Sequence, residues 1–226
     1  SWSSDALILT GLASEQCREL ELVKNNVLYR QSLSSMLPVL VLDPQKEEMV
    51  LDFCAAPGSK TTQMSALMEN QGEIVAVEAI RPRFYKLKSV CELLGAINVS
   101  CKLTDARRFR SFELFDKVLV DAPCSSESRF KTDDPKSVGY WSPRKIKEMV
   151  QKQRGLLLSA SRFLKSGGTL VYSTCTFAPE ENEGVLDWVL RKSEGQLELA
   201  PAAIEGIKSY PAIHEWEGKS YAPEVE

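Results

Sequence analysis

From residue 49 onward, short apolar runs alternate with helical segments, and each run stops at a polar or sulfur-bearing residue. Met49–Phe53 is the first run, followed by the turn Cys54–Lys60 and a helical stretch Thr61–Met68. Ile74–Val77 is the second, and Pro82–Leu94 the helix after it, stopped by Gly95. Val99–Leu103 and Lys117–Val120 follow, the latter ending at Asp121. A long helix is predicted over Pro143–Leu164, a turn at Gly167-Gly168, a fifth strand at Thr169–Ser173 and a last helix over Glu180–Leu190. Unbroken apolar runs of this length suit strands buried on both faces. Parallel strands need long crossovers, which the helices supply. The pattern therefore predicts an α/β fold, a mostly parallel central sheet with helices on both faces.

Ligands of such sheets sit at the C-terminal ends of the strands. Cys54, Glu78, Asp105, Asp121, Cys124 and Cys175 all fall there. The turn after the first strand has one glycine, Gly58, and carries neither the spacing of a dinucleotide fingerprint nor that of a phosphate-binding loop. Its small residues still let backbone approach a ligand closely, and the next helix offers unsatisfied amides. Glu78 is placed to accept from both hydroxyls of a ribose, and Asp105 to lie near an adenine amine. Taken singly, each also reads as a helix cap or a solvated loop residue. At equivalent strand ends the pair favours a nucleoside with no diphosphate.

Composition narrows the classes. The 226 residues suit one domain with a short appendage. No apolar run reaches the roughly 18 residues a membrane span needs, and no signal peptide precedes the first helical pattern, so a cytoplasmic protein with no membrane contact is expected (nuclear or nucleolar in a eukaryote). None of the six cysteines forms a C-x-x-C pair and there is one histidine, His214, which argues against a metal site. Free thiols are expected, with Cys17, Cys91 and Cys101 as small core residues. The net charge of -3 does not announce a nucleic-acid binder. Basic residues nevertheless cluster between Arg81 and Arg110 and between Arg129 and Lys147, while the stretch from Glu194 on is acidic. These clusters read either as a local basic face or as solvated helix surfaces.

Outside the regular region, Asp5–Leu9 suggests a short strand, and Ser32–Leu40 a short helix with Pro38 near its first turn. Ser125–Ser142 is a long loop of the kind that is usually functional or disordered. The expected organisation is an N-terminal extension over 1–26, a catalytic domain over 27–200 and an acidic tail over 201–226.

Several ordered motifs resemble the NOL1/NOP2/Sun family of RNA cytosine-5 methyltransferases. They are Tyr29-Arg30-Gln31 with Ser34-Ser35-Met36-Leu37-Pro38, the stretch Leu51–Gln63, Asp121-Ala122-Pro123-Cys124-Ser125, Tyr172-Ser173-Thr174-Cys175-Thr176 and Glu180-Glu181-Asn182-Glu183. The resemblance runs from about residue 27 to residue 190. It implies a Rossmann-like fold that binds S-adenosyl-L-methionine. Cys54, Ala55, Ala56, Pro57, Gly58, Ser59 and Lys60, with Glu78, Arg83, Asp105 and Asp121, would contact that cofactor or line its pocket.

The implied chemistry explains the sulfur. C5 of cytosine is a poor nucleophile until a thiolate adds to C6; a base must then remove the C5 proton so that the thiolate can leave. By the family pattern Cys175 is the nucleophile and Cys124 assists release. Asp121 bonds N3 and the exocyclic amine, Pro123 shapes the turn, and Lys60 orients Asp121 or lowers a thiol pKa. DNA cytosine-5 methyltransferases resemble one another in a Pro-Cys-Gln motif; here Pro123-Cys124 precedes Ser125, so RNA is the better match. The substrate would be RNA with an accessible cytosine, single-stranded or in a loop, ribosomal RNA ahead of transfer RNA. Arg129, Tyr140 and Trp141 are candidates to stack on it. A protein or domain partner would aid RNA binding.

The chain departs from the family after Cys124. The usual Cys-Ser-Gly-x-Gly is replaced by Cys124-Ser125-Ser126-Glu127-Ser128, so two side chains stand for two hydrogens and Glu127 adds negative charge near an RNA site. This departure supports a competing reading, a noncatalytic cofactor-binding subunit or assembly factor; the other alternative, an enzyme acting on DNA or on another RNA atom, is opposed by the cysteine pair. An active enzyme should gather both thiols at one cavity.

Overall fold

The computed structural model describes residues 7, 8, 10, 11 and 14–221. Two short helices, α1 (Ser14–Glu19) and α2 (Glu21–Lys24), lead to α3 (Leu33–Leu42). The regular region then runs β1 (Met49–Asp52), α4 (Ser59–Leu67), β2 (Glu73–Glu78), α5 (Arg81–Leu93), β3 (Val99–Leu103), β4 (Phe115–Asp121), α6 (Pro143–Ser161), β5 (Leu164–Ser173) and α7 (Glu183–Lys192). The five strands form one parallel sheet in the order β3-β2-β1-β4-β5. The chain reverses direction across the sheet between β1 and β4, the switch point where such folds bind ligands.

Alternation along the strands divides the core. Leu51, Val75, Val118 and Val120 face α6 and α7, where Leu156, Leu157, Ala160, Val185 and Val189 close over them. Val50, Ile74 and Leu119 point the other way, onto Val39 and Leu42 of α3 and Met64 and Met68 at α4. Ala76 meets Leu87 and Cys91 of α5. The expected fold is therefore present, with helices on both faces of the sheet.

Five details differ from the sequence reading. Pro38 lies in the interior of α3 rather than near its first turn; the carbonyl it leaves without a donor belongs to Ser34, which is exposed to water. β5 starts at Leu164 and runs through Gly167-Gly168, which form an irregularity in the strand instead of a turn between elements. Gly168 is required there because a Cβ would come 2.8 Å from the Asp116 carbonyl oxygen. α6 stops at Ser161, so that Phe163 can turn in against Phe53 and Phe109, with ring centroids 6.1 and 5.1 Å away. α7 begins at Glu183, three residues late, because Glu181 and Asn182 are engaged in bonds to the strand ends. Within the expected tail, β6 (Glu215–Trp216) and β7 (Lys219–Ser220) form a hairpin, and Tyr221 packs on Gly184 of α7. Most of the Asp5–Leu9 stretch lies outside the described residues.

Phe53 is fully buried at the end of β1 and carries the aromatic cluster directly beneath the Cys54–Lys60 turn. Phe53→Ala should destabilise the fold by about 3–5 kcal/mol, read as a lowered midpoint in urea unfolding. A loss under 1 kcal/mol would mean that the cluster is not supporting the sheet.

Candidate active site

The pairing of β4 with β5 sets Asp121 opposite Ser173. Both chains then turn over the top of the sheet, and the two sulfurs meet: Cys124 Sγ and Cys175 Sγ lie 3.1 Å apart. The Cys175 amide also donates to Cys124 Sγ at 3.3 Å. A shared proton between two such thiols leaves one anion, not two. The surrounding groups favour it on Cys175. Its thiol is held well below the ordinary range by the hydrogen bond with Cys124, then by one with Ser126 and by the charge of Arg129, with burial and Asp121 opposing. Cys124 moves upward, first through its bond to Cys175, then by burial and by the Cys175 charge. Cys54 is pushed up by burial first and then by the charges of Asp52 and Asp121, and is an inert thiol.

Asp121 is fixed through both oxygens. Lys60 Nζ donates to Oδ2 at 2.7 Å and Ser173 Oγ to Oδ1 at 2.8 Å. Lys60 reaches it from the first turn of α4 and also donates to Ser35 Oγ of α3. The Lys60–Asp121 pairing, one of the two tasks expected of Lys60, is thus present, and the carboxylate is held in a set direction. Ser35 and Ser173 belong to quoted motifs, yet sequence reasoning gave them no task. The signal that could have found them is a hydroxyl beside each end of an expected ion pair.

The turn after β1 is built for close approach. Gly58 has φ +109° and heads α4, and a Cβ there would come 3.2 Å from both Leu87 and Val90. The peptide Ala56-Pro57 is cis. Arg83 links this turn to β2: it donates to the Ala56 carbonyl at 2.7 Å and lies 3.5 Å from Glu78. Glu78 is buried and accepts from the Ile80 amide at 2.8 Å, which leaves acceptor capacity on its carboxylate for hydroxyls. Asp105 is placed otherwise. It caps the short turn Ala106–Arg108, and both its oxygens face Arg107, the closest contact being 2.6 Å. Of the two acidic residues, Glu78 is the one ready for a ribose; Asp105 would have to share itself with Arg107.

Behind the sulfurs lies a buried network that the sequence did not announce. Glu181 is fully buried and, among the described residues, no cation pairs with it. It accepts from the Ser125 amide at 3.1 Å and from Gln153 Nε2 at 2.7 Å, and burial, its main influence, drives its carboxyl upward. Gln153 of α6 also donates to the Pro123 carbonyl at 3.0 Å. Asn182 accepts from Thr174 and donates to the Thr176 carbonyl, while Ser125 and Thr176 join hydroxyls at 2.7 Å. The Glu180–Glu183 motif therefore staples the Cys124 loop to the Cys175 loop.

The long loop is ordered by two short turns, Glu127–Arg129 and Pro135–Val138. Glu127 accepts from the Trp141 indole at 2.7 Å and from the Phe177 amide at 2.9 Å. Trp141 meets Phe130 edge to face, and Lys145 sits over Tyr140. Phe177 is exposed two residues beyond Cys175. Among the described residues no cluster of three or more potential metal ligands occurs, and no helix is long and apolar enough to cross a membrane.

Comparison with known proteins agrees with this geometry. Residues 39–219 match the family described as 16S rRNA methyltransferase RsmB/F. The chain is 43% identical over 196 residues to the tRNA (cytosine(49)-C(5))-methyltransferase of Pyrococcus abyssi, covering 86% of this chain and 62% of that protein. It is 40% identical over 204 residues to the ribosomal RNA small subunit methyltransferase F of Aeromonas hydrophila, covering 85% and 43%. A solved methyltransferase homologue from Pyrococcus horikoshii superposes with a TM-score of 0.79 and 32% identity, covering 92% of this chain and 64% of that one. The chain thus spans roughly half the length of the curated relatives it matches.

Two substitutions test the supports of the site. Gln153→Leu leaves Glu181 buried with one partner fewer and should cost about 2–4 kcal/mol in urea unfolding; an unchanged midpoint would deny the network its role. Asp52 is buried at the end of β1, bonded to Thr61 at 2.7 Å, and burial pushes its carboxyl from 3.8 up to about 6. The folded state then holds the proton more tightly than the unfolded one. That stability is fully present below pH 3.8 and is lost as pH rises through 6. Asp52→Asn escapes the loss, so its advantage over the parent should grow by about 2 kcal/mol between about pH 4.5 and pH 8. A pH-independent difference in unfolding free energy would contradict this.

Proposed function

This chain belongs to the 16S rRNA methyltransferase RsmB/F family, and on that premise we propose that it transfers a methyl group from S-adenosyl-L-methionine to C5 of a cytosine in RNA. The observation that carries the reading is the pair of sulfurs 3.1 Å apart beside an aspartate clamped by Lys60 and Ser173. Packing alone gives no reason for two thiols and an ordered carboxylate at one sheet edge. The cofactor supplies an electrophilic methyl on sulfur. Gly58 and the small residues from Cys54 to Ser59 would let it approach the backbone, Glu78 would take the ribose hydroxyls with Arg83 steadying both, and Asp105 would serve the adenine amine.

Cys175 adds to C6 of the cytosine as the thiolate, and the ring's electron pair moves to C5, which takes the methyl group. Asp121 holds the base through N3 and the exocyclic amine. Removal of the C5 proton then lets the electrons re-form the C5–C6 double bond and expel Cys175. Cys124 is suited to that last step. Its upward shift comes largely from Cys175. Once Cys175 is bonded to carbon and uncharged, that influence ends and Cys124 becomes the readier base.

Ribosomal RNA stands first as the substrate class, on the family's own description, and transfer RNA second, on the Pyrococcus abyssi relative. Arg129, whose charge acts on Cys175, and the aromatics Tyr140, Trp141 and exposed Phe177 are the groups on which a flipped base and its neighbours would stack. Part of the RNA affinity would come from a partner protein or domain. The noncatalytic reading rested on the Ser126-Glu127-Ser128 departure; the ties that Glu127 makes to Trp141 and Phe177 weigh against it.

Incubation with methyl-labelled S-adenosylmethionine and unmodified RNA should label cytosine C5 with the parent and not with Cys175→Ala. Cys124→Ala should start the reaction but release slowly, so a protein–RNA adduct should accumulate on a denaturing gel. Equal labelling by the parent and Cys175→Ala would remove Cys175 from its role. Fractionating the labelled RNA would separate the ribosomal from the transfer class.

A further inference from the structure

Ser126 occupies a backbone conformation that L side chains rarely adopt, with φ +64° and ψ +37°. A glycine would sit there without strain. What serine adds is one hydroxyl, and that hydroxyl lies within reach of both sulfurs. Ser126 Oγ is 3.6 Å from Cys175 Sγ and 4.0 Å from Cys124 Sγ, and it donates to the Cys124 carbonyl at 3.3 Å. With Cys175 as a thiol, its S–H points at Ser126 Oγ and the serine proton rests on the carbonyl. When Cys175 ionises, the same hydroxyl can rotate and donate to the sulfur, because a serine O–H turns freely. The loop is firm enough to keep it there: the Ser128 amide donates to the Cys175 carbonyl at 3.1 Å, and Glu127 binds the Phe177 amide.

We propose that Ser126 is a positioning residue for the Cys175 thiolate, its hydroxyl fixing the sulfur's direction and stabilising its anion. The proposal builds on the reading of Cys175 as the nucleophile. It gives the strained backbone a use, since a side chain is retained where a glycine would relieve the strain. Three other groups act on the same sulfur, namely Cys124 and Arg129, which favour the anion, and Asp121, which opposes it. None of the three is altered by substituting Ser126, so the serine can be tested alone.

The test is the alkylation of Cys175 by iodoacetamide across pH, followed by peptide mass mapping on the whole chain, for the parent, Ser126→Gly and Ser126→Ala. Neither RNA nor methyl donor takes part. Ser126→Gly relaxes the backbone and should fold as well as the parent, which thermal unfolding checks. Loss of the hydroxyl should raise the pH midpoint of alkylation in both variants. A thiolate freed of a donor is also intrinsically more nucleophilic, so the limbs should move in opposite directions. For a midpoint rise of about one pH unit, the rate below both midpoints falls roughly 3-fold and the plateau above both rises roughly 3-fold. A merely structural change in access would move both limbs the same way. Midpoints that coincide in a folded Ser126→Gly, or limbs that move together, overturn the proposal. If the parent shows the serine-dependent midpoint but transfers no methyl group, the proposed function fails and this inference stands; methyl transfer with a serine-independent midpoint gives the reverse.

Discussion

The parallel pairing of β4 with β5, in the register that sets Asp121 opposite Ser173, is the constraint on which the site depends. A shift of one residue would turn every side chain of β5 to the other face of the sheet. Ser173 would then miss Asp121, and the chain beyond it would carry Cys175 away from Cys124. The register is held from below by the buried run of β4, Val118 to Val120, against which Leu170 and Tyr172 of β5 pack partly buried. The irregularity at Gly167-Gly168 absorbs the extra residues of β5 at the far end, so the upper end stays in step.

Burial of carboxylates without cations is the second theme. Glu181 and Asp52 both lie inside, and each is served by neutral donors. A buried charge with incomplete partners is unfavourable, yet amides and hydroxyls have a directional advantage over a mobile lysine. Glu181 fixes the Ser125 amide one residue past Cys124, and its own carbonyl accepts from Tyr172 of β5. One residue therefore ties both sulfur-bearing loops to the same anchor. At Asp121, by contrast, the carboxylate stays partly open to solvent and its charged partner is a lysine.

The fold was legible because strand and helix periods differ and because each strand end carried a residue of unusual chemistry. The convergence of Cys124, Cys175, Asp121 and Lys60 was also legible, since strand ends of a parallel sheet share one edge. What escaped was set by tertiary contacts. Helix α7 starts late because Glu181 and Asn182 bond to strand ends that no local pattern marks. Gln153 sits on α6 where it reads as an ordinary polar helix position, and only the fold brings it to Pro123 and Glu181. Asp105 and Arg107 are two residues apart, and their pairing was available to local reasoning that concentrated on the strand end.

The departure at Ser126-Glu127-Ser128 illustrates how a lost glycine is accommodated. Two side chains in place of two hydrogens restrict the backbone, and Glu127 brings negative charge near the site where RNA is expected. Placing a non-glycine residue in the left-handed region costs about 1–2 kcal/mol, but the loop gains bonds that do not depend on glycine. Both oxygens of Glu127 are engaged, one by the Trp141 indole and the other by the Phe177 amide, so its charge points into the protein's own donors. Charge-assisted bonds of this kind are stronger than neutral ones and act against the strain. The added carboxylate therefore fastens the aromatic side of the site to the segment that carries Cys175, and the residue that looked most hostile to RNA becomes part of what shapes the surface RNA would meet.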